Sequence, residues 1–427
     1  MRTPTLLSLL AASCATVTVS DGADTDEDAG LPFRCAVQED DAAFTPDPSL
    51  LRWPYTSNIT VDGATVQWAT APGLVAKLEW GETDDFGTVA EAELEELDRL
   101  VDPRQMHTVR LTDLKPDRGY CYRVVMDGKD LTGPMAFRTA PPRDVDRKIR
   151  FLVLGDFGGG PGSPAGPVLD EILKHVDEID FWVTTGDNAY GSGTWQEWED
   201  NIFSFYRHLL RRVSFWPTPG NHDYGSPFQL TPMLTNFDLP KNAYRDFDKE
   251  RYYSFDWGPA HFVMADSQFA AIQINPIDPV DDMAVWMRDD LKASAEMPWQ
   301  IAVWHHPLYM TTPGRSAAVP VRVHLAPLVE ELEVPLVLNG HNHTYERFSH
   351  MKDGVKLEKG GTTYVITGAG GKSLYDIDPQ DPRAKDAEAS YSAYHFMLFE
   401  ADSCTLRGRA IGLEGAVLDD FTLTRCE

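Results

Sequence analysis

Gly340-His341-Asn342-His343-Thr344-Tyr345-Glu346-Arg347 directly follows Val334-Pro335-Leu336-Val337-Leu338-Asn339, a short apolar run of the kind that forms a buried strand. Two imidazoles separated by one residue, on a loop leaving a strand end, can point at two places about one metal–metal distance (~3.5–4 Å) apart. A single zinc site on a helix would instead space its histidines by four, so that both share one face. The His-x-His spacing alone fits ordinary loop histidines equally well. Four upstream loops of the same chemistry tip the balance.

Working outward from this stretch, buried-strand runs alternate with helical segments. Ile149–Leu154 ends at Gly155-Asp156-Phe157-Gly158, and a helix is expected near Val168–Val176. Phe181–Thr185 ends at Gly186-Asp187-Asn188-Ala189-Tyr190, and a second helix is expected over Trp195–Leu210. Phe215–Thr218 leads to Gly220-Asn221-His222-Asp223. The insert Ser226–Lys249, rich in Pro, Asp and Phe, reads as a long functional loop or lid. Strands are then expected at Tyr252–Trp257 and His261–Asp266, and an amphipathic helix at Met283–Ala293. Gln300–Trp304 ends at His305-His306-Pro307, and a helix over Val321–Leu332 feeds the strand before His341. From Thr362 the pattern is mostly β. Open α/β sheets bind ligands outside the carboxyl ends of their strands. The expected fold is therefore an α/β sandwich of two mixed β-sheets flanked by helices, with all five loops at one rim.

Residues 49–140 read as an all-β, fibronectin III-like sandwich, with alternating strands at Thr65–Trp68, Lys77–Trp80, His107–Leu111 and Tyr120–Val125. Leu114-Lys115-Pro116-Asp117-Arg118-Gly119-Tyr120 resembles the corner before a late strand of such domains. Glu91–Leu100, acidic and Leu-rich, suits a helical turn. Ala140-Pro141-Pro142-Arg143 is a stiff linker into residues 141–427, the domain that carries the five loops. Residues 1–20 read as an export signal, and 21–48 as an acidic tether. Cys14 after Ala11-Ala12-Ser13 resembles a lipoprotein cleavage box, with Ala11 where Leu is usual. A lipid anchor at Cys14 and a plain cleaved signal both remain open. Either route gives a secreted, periplasmic or cell-surface protein.

The chain of 427 residues carries a net charge of −28. That excess argues against nucleic acid as a partner, and leaves the membrane only through a lipid at Cys14. An anionic ligand must then find positive charge locally, which bound cations supply. Beyond Cys14 there are four cysteines, Cys35, Cys121, Cys404 and Cys426, which allow three pairings. The 22-residue separation of Cys404 and Cys426 favours that pair, at about 3 kcal/mol of chain entropy. Cys35–Cys121 would remain.

The five loops offer carboxylates, a phenol, a carboxamide and imidazoles, with no thiolate. Such donors suit Fe, Mn or Zn rather than Cu(I), and are numerous enough for two ions. Gly155-Asp156-x-Gly158, Gly186-Asp187-x-x-Tyr190, Gly220-Asn221-His222-Asp223, His305-x-Pro307 and Gly340-His341-x-His343 resemble the five blocks of the calcineurin-like metallophosphoesterase superfamily. Tyr190, three residues after Asp187, is the mark of its purple acid phosphatase branch. The resemblance implies an acid phosphatase, a hydrolase of small phosphate monoesters with a dinuclear centre of Fe(III) with Fe(II), Zn(II) or Mn(II). It implies that Asp156, Tyr190 and His343 hold the first ion and Asn221, His305 and His341 the second, with Asp187 bridging. A metal-bridging or terminal hydroxide would attack phosphorus, and His222 would protonate the leaving alkoxide. His306 and Arg315 are expected to face substrate, and Asp223 to orient His222 or Asn221. His107, His175, His208, His261, His324, His350 and His395 read as structural. Alternatives are a phosphodiesterase or phytase-like member and a non-catalytic surface binding protein.

Overall fold

The computed structural model describes Cys35 and residues 47–96, 104–268, 279–319 and 321–426. The expected export signal, Cys14 and nearly all of the acidic tether lie outside the described residues. No helix among those described is long and apolar enough to cross a membrane.

Alternating apolar positions make the described part of residues 50–138 all β. One sheet orders Leu50–Ser57, Ala64–Thr70, Gln105–Leu111 and Glu93–Glu96; the facing one is built from Thr88–Glu91, Lys77–Gly81, Gly119–Met126, Lys129–Asp130 and Met135–Arg138. The expected corner is present: Tyr120 Oη accepts from the Lys115 amide at 2.8 Å. Glu91–Leu100 is not the helical turn that its composition favours. Its described part forms edge strands, with Leu94 opposite His107 and Glu91 opposite Lys77. Sheet pairing outweighs the helical propensity of an Ala-Glu-Leu-Glu-Glu run, and the exposed acids blunt the edges. Cys35 is bonded to Cys121, and Cys404 to Cys426, the pairing that spacing favoured.

The larger half stacks two mixed sheets. The first orders Ser214–Trp216, Phe181–Thr184, Ile149–Leu154, His395–Ala401, Thr405–Gly412 and Val417–Thr424. The second orders Tyr253–Trp257, Ala260–Met264, Trp299–Val303, Leu336–Asn339, Thr362–Thr367 and Tyr345–Lys352, and continues to Val355–Lys356. Aromatic rings fill the space between the sheets. Phe151 meets Phe262 edge-on at 5.1 Å, Phe181 packs at 4.6 Å from Trp257, and Trp216 stacks on Phe255 at 3.8 Å. Helix Pro279–Ala293 and the helical turns Val321–Leu325 and Ala326–Glu331 cover the outer face of the second sheet through Met283, Trp286, Met287 and Leu328.

Within each sheet the strands that lead into the loops run parallel: Ile149–Leu154 with Phe181–Thr184 and Ser214–Trp216, and Trp299–Val303 with Leu336–Asn339 and Thr362–Thr367. Parallel strands end on the same side, so the loops after them share a rim.

Two further sequence expectations need correction. Trp195–Leu210 is not one helix but an α-turn at Trp195–Trp198, a wider π-type turn at Glu199–Phe203 and a last turn at Arg207–Leu210. The Ser226–Lys249 insert is bolted to the sandwich rather than hung as a free lid. Asn236 Oδ1 accepts from Arg52 at 2.9 Å, and its carbonyl accepts from Tyr55. Asp238 accepts from Thr65 and Arg110, both at 2.9 Å. Leu230, Met233, Phe237 and Leu239 join the main core.

Candidate metal centre

Three donor-bearing residues sit in left-handed backbone conformation: Asp156 and Asp187 at φ 53° and His341 at φ 66°. L-residues adopt this region at a cost of about 1–2 kcal/mol each, and such outliers cluster at functional sites. Each follows a glycine that closes the loop. A Cβ on Gly340 would lie 2.6 Å from Asp156 Oδ2 and 2.8 Å from the Thr185 carbonyl. A Cβ on Gly220 would lie 2.2 Å from the Asp187 amide nitrogen. Only bare backbone lets these loops approach so closely.

The seven candidate donors converge into two groups. In the first, Tyr190 Oη lies 2.9 Å from Asp156 Oδ1, 2.9 Å from Asp187 Oδ2 and 3.3 Å from His343 Nε2. In the second, Asn221 Oδ1 lies 2.9 Å from His341 Nδ1 and 3.1 Å from His305 Nε2, and the two ring nitrogens are 3.2 Å apart. Asp187 belongs to both, because its other oxygen, Oδ1, is 3.4 Å from His305 Nε2.

Outer contacts aim the lone pairs inward. His305 Nδ1 is 2.8 Å from the Thr185 carbonyl and His343 Nδ1 2.6 Å from that of Ser373. A carbonyl only accepts, so in each ring Nδ1 carries the hydrogen and Nε2 is left as a donor atom for a cation. Burial, then the charges of Asp156 and Asp187, pushes the Tyr190 phenol well above its ordinary value. Burial alone would raise the Asp187 carboxyl, but His305 and then His222 outweigh it and hold it low. Crowded acceptors and a phenol wedged between two carboxylates fit hard or borderline cations, which would relieve both.

Asp223 is fully buried and accepts from the amides of Asn188, Ala189 and Gly220 and from the Asn188 carboxamide, at 2.8–3.2 Å. It ties the Asp187 loop to the Asn221 loop rather than touching His222 itself. Burial, then Asp187, pushes its carboxyl up to about 7.

His222 sits at the mouth, its side chain 40% exposed and its Nε2 4.0 Å from Asp187 Oδ2. Its Nδ1 is 2.7 Å from the Gly191 carbonyl and its ring lies 4.3 Å from that of Tyr190. Glu197, in a capping box with Thr194, braces that loop by accepting from the Gly191 and Ser192 amides at 2.7 and 3.1 Å. His306 is buried, and burial followed by the His305 charge pushes it down to about 3. Its ring is 4.5 Å from that of His341, and Ser267 Oγ is 2.9 Å from its Nδ1. Arg315 places Nη1 2.8 Å from His341 Nε2 and Nη2 2.7 Å from Tyr375 Oη.

A model of the calcineurin-like phosphoesterases matches residues 149–345, and one described as the purple acid phosphatase N-terminal domain matches residues 50–139. The chain belongs to the purple acid phosphatase family of calcineurin-like phosphoesterases. Purple acid phosphatase 21 of Arabidopsis thaliana is 29% identical to it over 304 residues, 67% of this chain and 64% of that one. Another relative from that plant, named "Probable inactive purple acid phosphatase 27", is 25% identical over 379 residues, 76% of this chain and 58% of its own length. The chain thus spans less than two thirds of either relative. The structure of purple acid phosphatase PPD1 from yellow lupin (Lupinus luteus) seeds matches with a TM-score of 0.75 at 22% identity, over 87% of this chain and 74% of that one. That likeness is one of fold.

Sequence reasoning missed a sixth loop, Gly368–Tyr375, in this purple acid phosphatase relative. It leaves the parallel strand Thr362–Thr367 at the same rim. Tyr375 stacks on His343 at 4.1 Å with Arg315 over its ring, and Lys372 lies over Tyr190. The signal was available: a buried strand ending in Gly368-Ala369-Gly370-Gly371 repeats the pattern of four of the other five.

Proposed function

We propose that the chain is a dinuclear-metal hydrolase of phosphate monoesters, acting outside the cell or in another oxidising compartment, where its two disulfides persist. The single observation behind this reading is the gathering of seven side chains into two donor groups that share Asp187. Asp156, Tyr190 and His343 would hold a ferric ion. Asn221, His305 and His341 would hold Fe(II), Zn(II) or Mn(II), and Asp187 would bridge. When bound, the two cations supply Lewis acidity and a water acidic enough to serve as nucleophile near neutral pH.

The remaining work falls to the chain. His222, at the open side with Nδ1 fixed on the Gly191 carbonyl, presents Nε2 to the leaving oxygen and gives it a proton. Ser267 accepts from the His306 amide and turns its own hydrogen toward Nδ1, which leaves an Nε2–H on His306 to donate to a phosphoryl oxygen. Arg315 supplies a planar cation beside the His341 side of the site. All seven donors and His222 are present, which favours catalysis over the inert state named for one relative.

Elemental analysis and a visible spectrum of the purified protein, followed by rates on nitrophenyl phosphate and its bis-ester, test the proposal. Two metal ions per chain, one of them ferric, a visible band lost in Tyr190→Phe, and faster monoester turnover are expected. Fewer than two ions with no hydrolysis would overturn it, and faster diester turnover would overturn the monoester assignment.

A further inference from the structure

Lys372 has no role in the proposed reaction. Its amide donates to the Asp156 carbonyl at 3.1 Å, which pins this part of the loop beside the first donor group. Its side chain then turns over Tyr190, with Nζ 4.4 Å from the ring centroid. No carboxylate pairs with it among the described residues, although the chain holds 66 acids against 38 bases. A full positive charge therefore faces the electron-rich ring of a candidate metal ligand.

We infer that Lys372 is a positioning residue that tunes electron donation by Tyr190. This rests on the reading of Tyr190 as a ligand to a ferric ion. A cation against the ring stabilises the electron pair of the phenolate more than orbitals on the more distant ion. It thereby raises the energy needed to move charge from tyrosinate to metal. The same withdrawal of density makes the ion easier to reduce. Lys372 would set both the colour of the protein and the reducing strength at which its oxidised centre fails.

The test uses full-length, iron-loaded protein with metal content checked by elemental analysis. In Lys372→Gln and Lys372→Met the visible band should move to longer wavelength by on the order of 10 nm, the scale of one strongly screened unit charge at this distance. Bleaching should need a more strongly reducing solution, and Lys372→Arg should restore both properties. Because the loop is held by its backbone, thermal unfolding of the variants should match wild type. A band in wild type that stays in place, or moves to shorter wavelength, in both neutral variants overturns the role of Lys372 alone. Two bound ions including iron but no visible band in wild type overturns the tyrosinate reading, and the inference with it.

Discussion

His261 lies between two carboxylates, with Nδ1 2.6 Å from Asp256 Oδ1 and Nε2 2.8 Å from Asp290 Oδ2. An ionised carboxylate can only accept, so the ring satisfies both partners only as imidazolium, with a hydrogen on each nitrogen. Its side chain is 7% exposed, and burial opposes the charge. The two carboxylates outweigh burial and raise the ring from 6.5 to about 9. The gap of roughly 2.5 pH units corresponds to about 3 kcal/mol. The folded value lies above the unfolded one, so this stability is fully present below about pH 6.5 and is lost as pH rises through about 9. Urea unfolding of wild type and His261→Gln at about pH 6, 7.5 and 9.5 measures it. The difference should be about 3 kcal/mol at the lowest pH and shrink by roughly 1.4 kcal/mol per pH unit above about 6.5, to a remainder set by packing. A difference that does not vary with pH would show a neutral ring and refute the argument.

Asp187→Asn keeps the shape of the side chain but gives up the shared carboxylate; elemental analysis should find fewer than two ions per chain, with metal affinity down more than about 100-fold. His222→Ala should slow hydrolysis of alkyl phosphates by about 10²–10⁴-fold, and of nitrophenyl phosphate less, since nitrophenolate leaves without a proton; equal losses would remove His222 as the acid. Gly340→Ala forces a methyl to within 2.6 Å of Asp156 Oδ2. Thermal unfolding should register a loss of about 1–3 kcal/mol, accompanied by weaker metal retention.

The rim of loops was legible because each donor follows a buried strand, and every such strand except the one before His305 stops at or near a glycine, a local signal with a physical cause. Asp156, Asp187 and His341 sit where that signal places them. Less legible were features decided by partners distant in sequence. Glu93–Glu96 is a strand because it pairs with Gln105–Leu111, against its own helical preference. Trp195–Leu210 breaks up around Glu199, which turns to meet Arg52 and Arg104 of the sandwich. Arg315 and Tyr375 meet over His343 and His341 only once two loops 60 residues apart are folded together.

Arg52 is fully buried, donates to Glu199 and Asn236 at 2.9 Å, and lies 3.7 Å over Phe203. Glu199 stands nine residues after Tyr190, and Asn236 fourteen after His222. The amino-terminal sandwich is thus a brace for the two segments that run on from the tyrosine and the mouth histidine. Excising it would strip Asn236, Asp238 and Glu199 of partners and bare the rings beneath. A shortened chain beginning at residue 141 should therefore be poorly soluble and hold metal weakly, even with every donor atom retained.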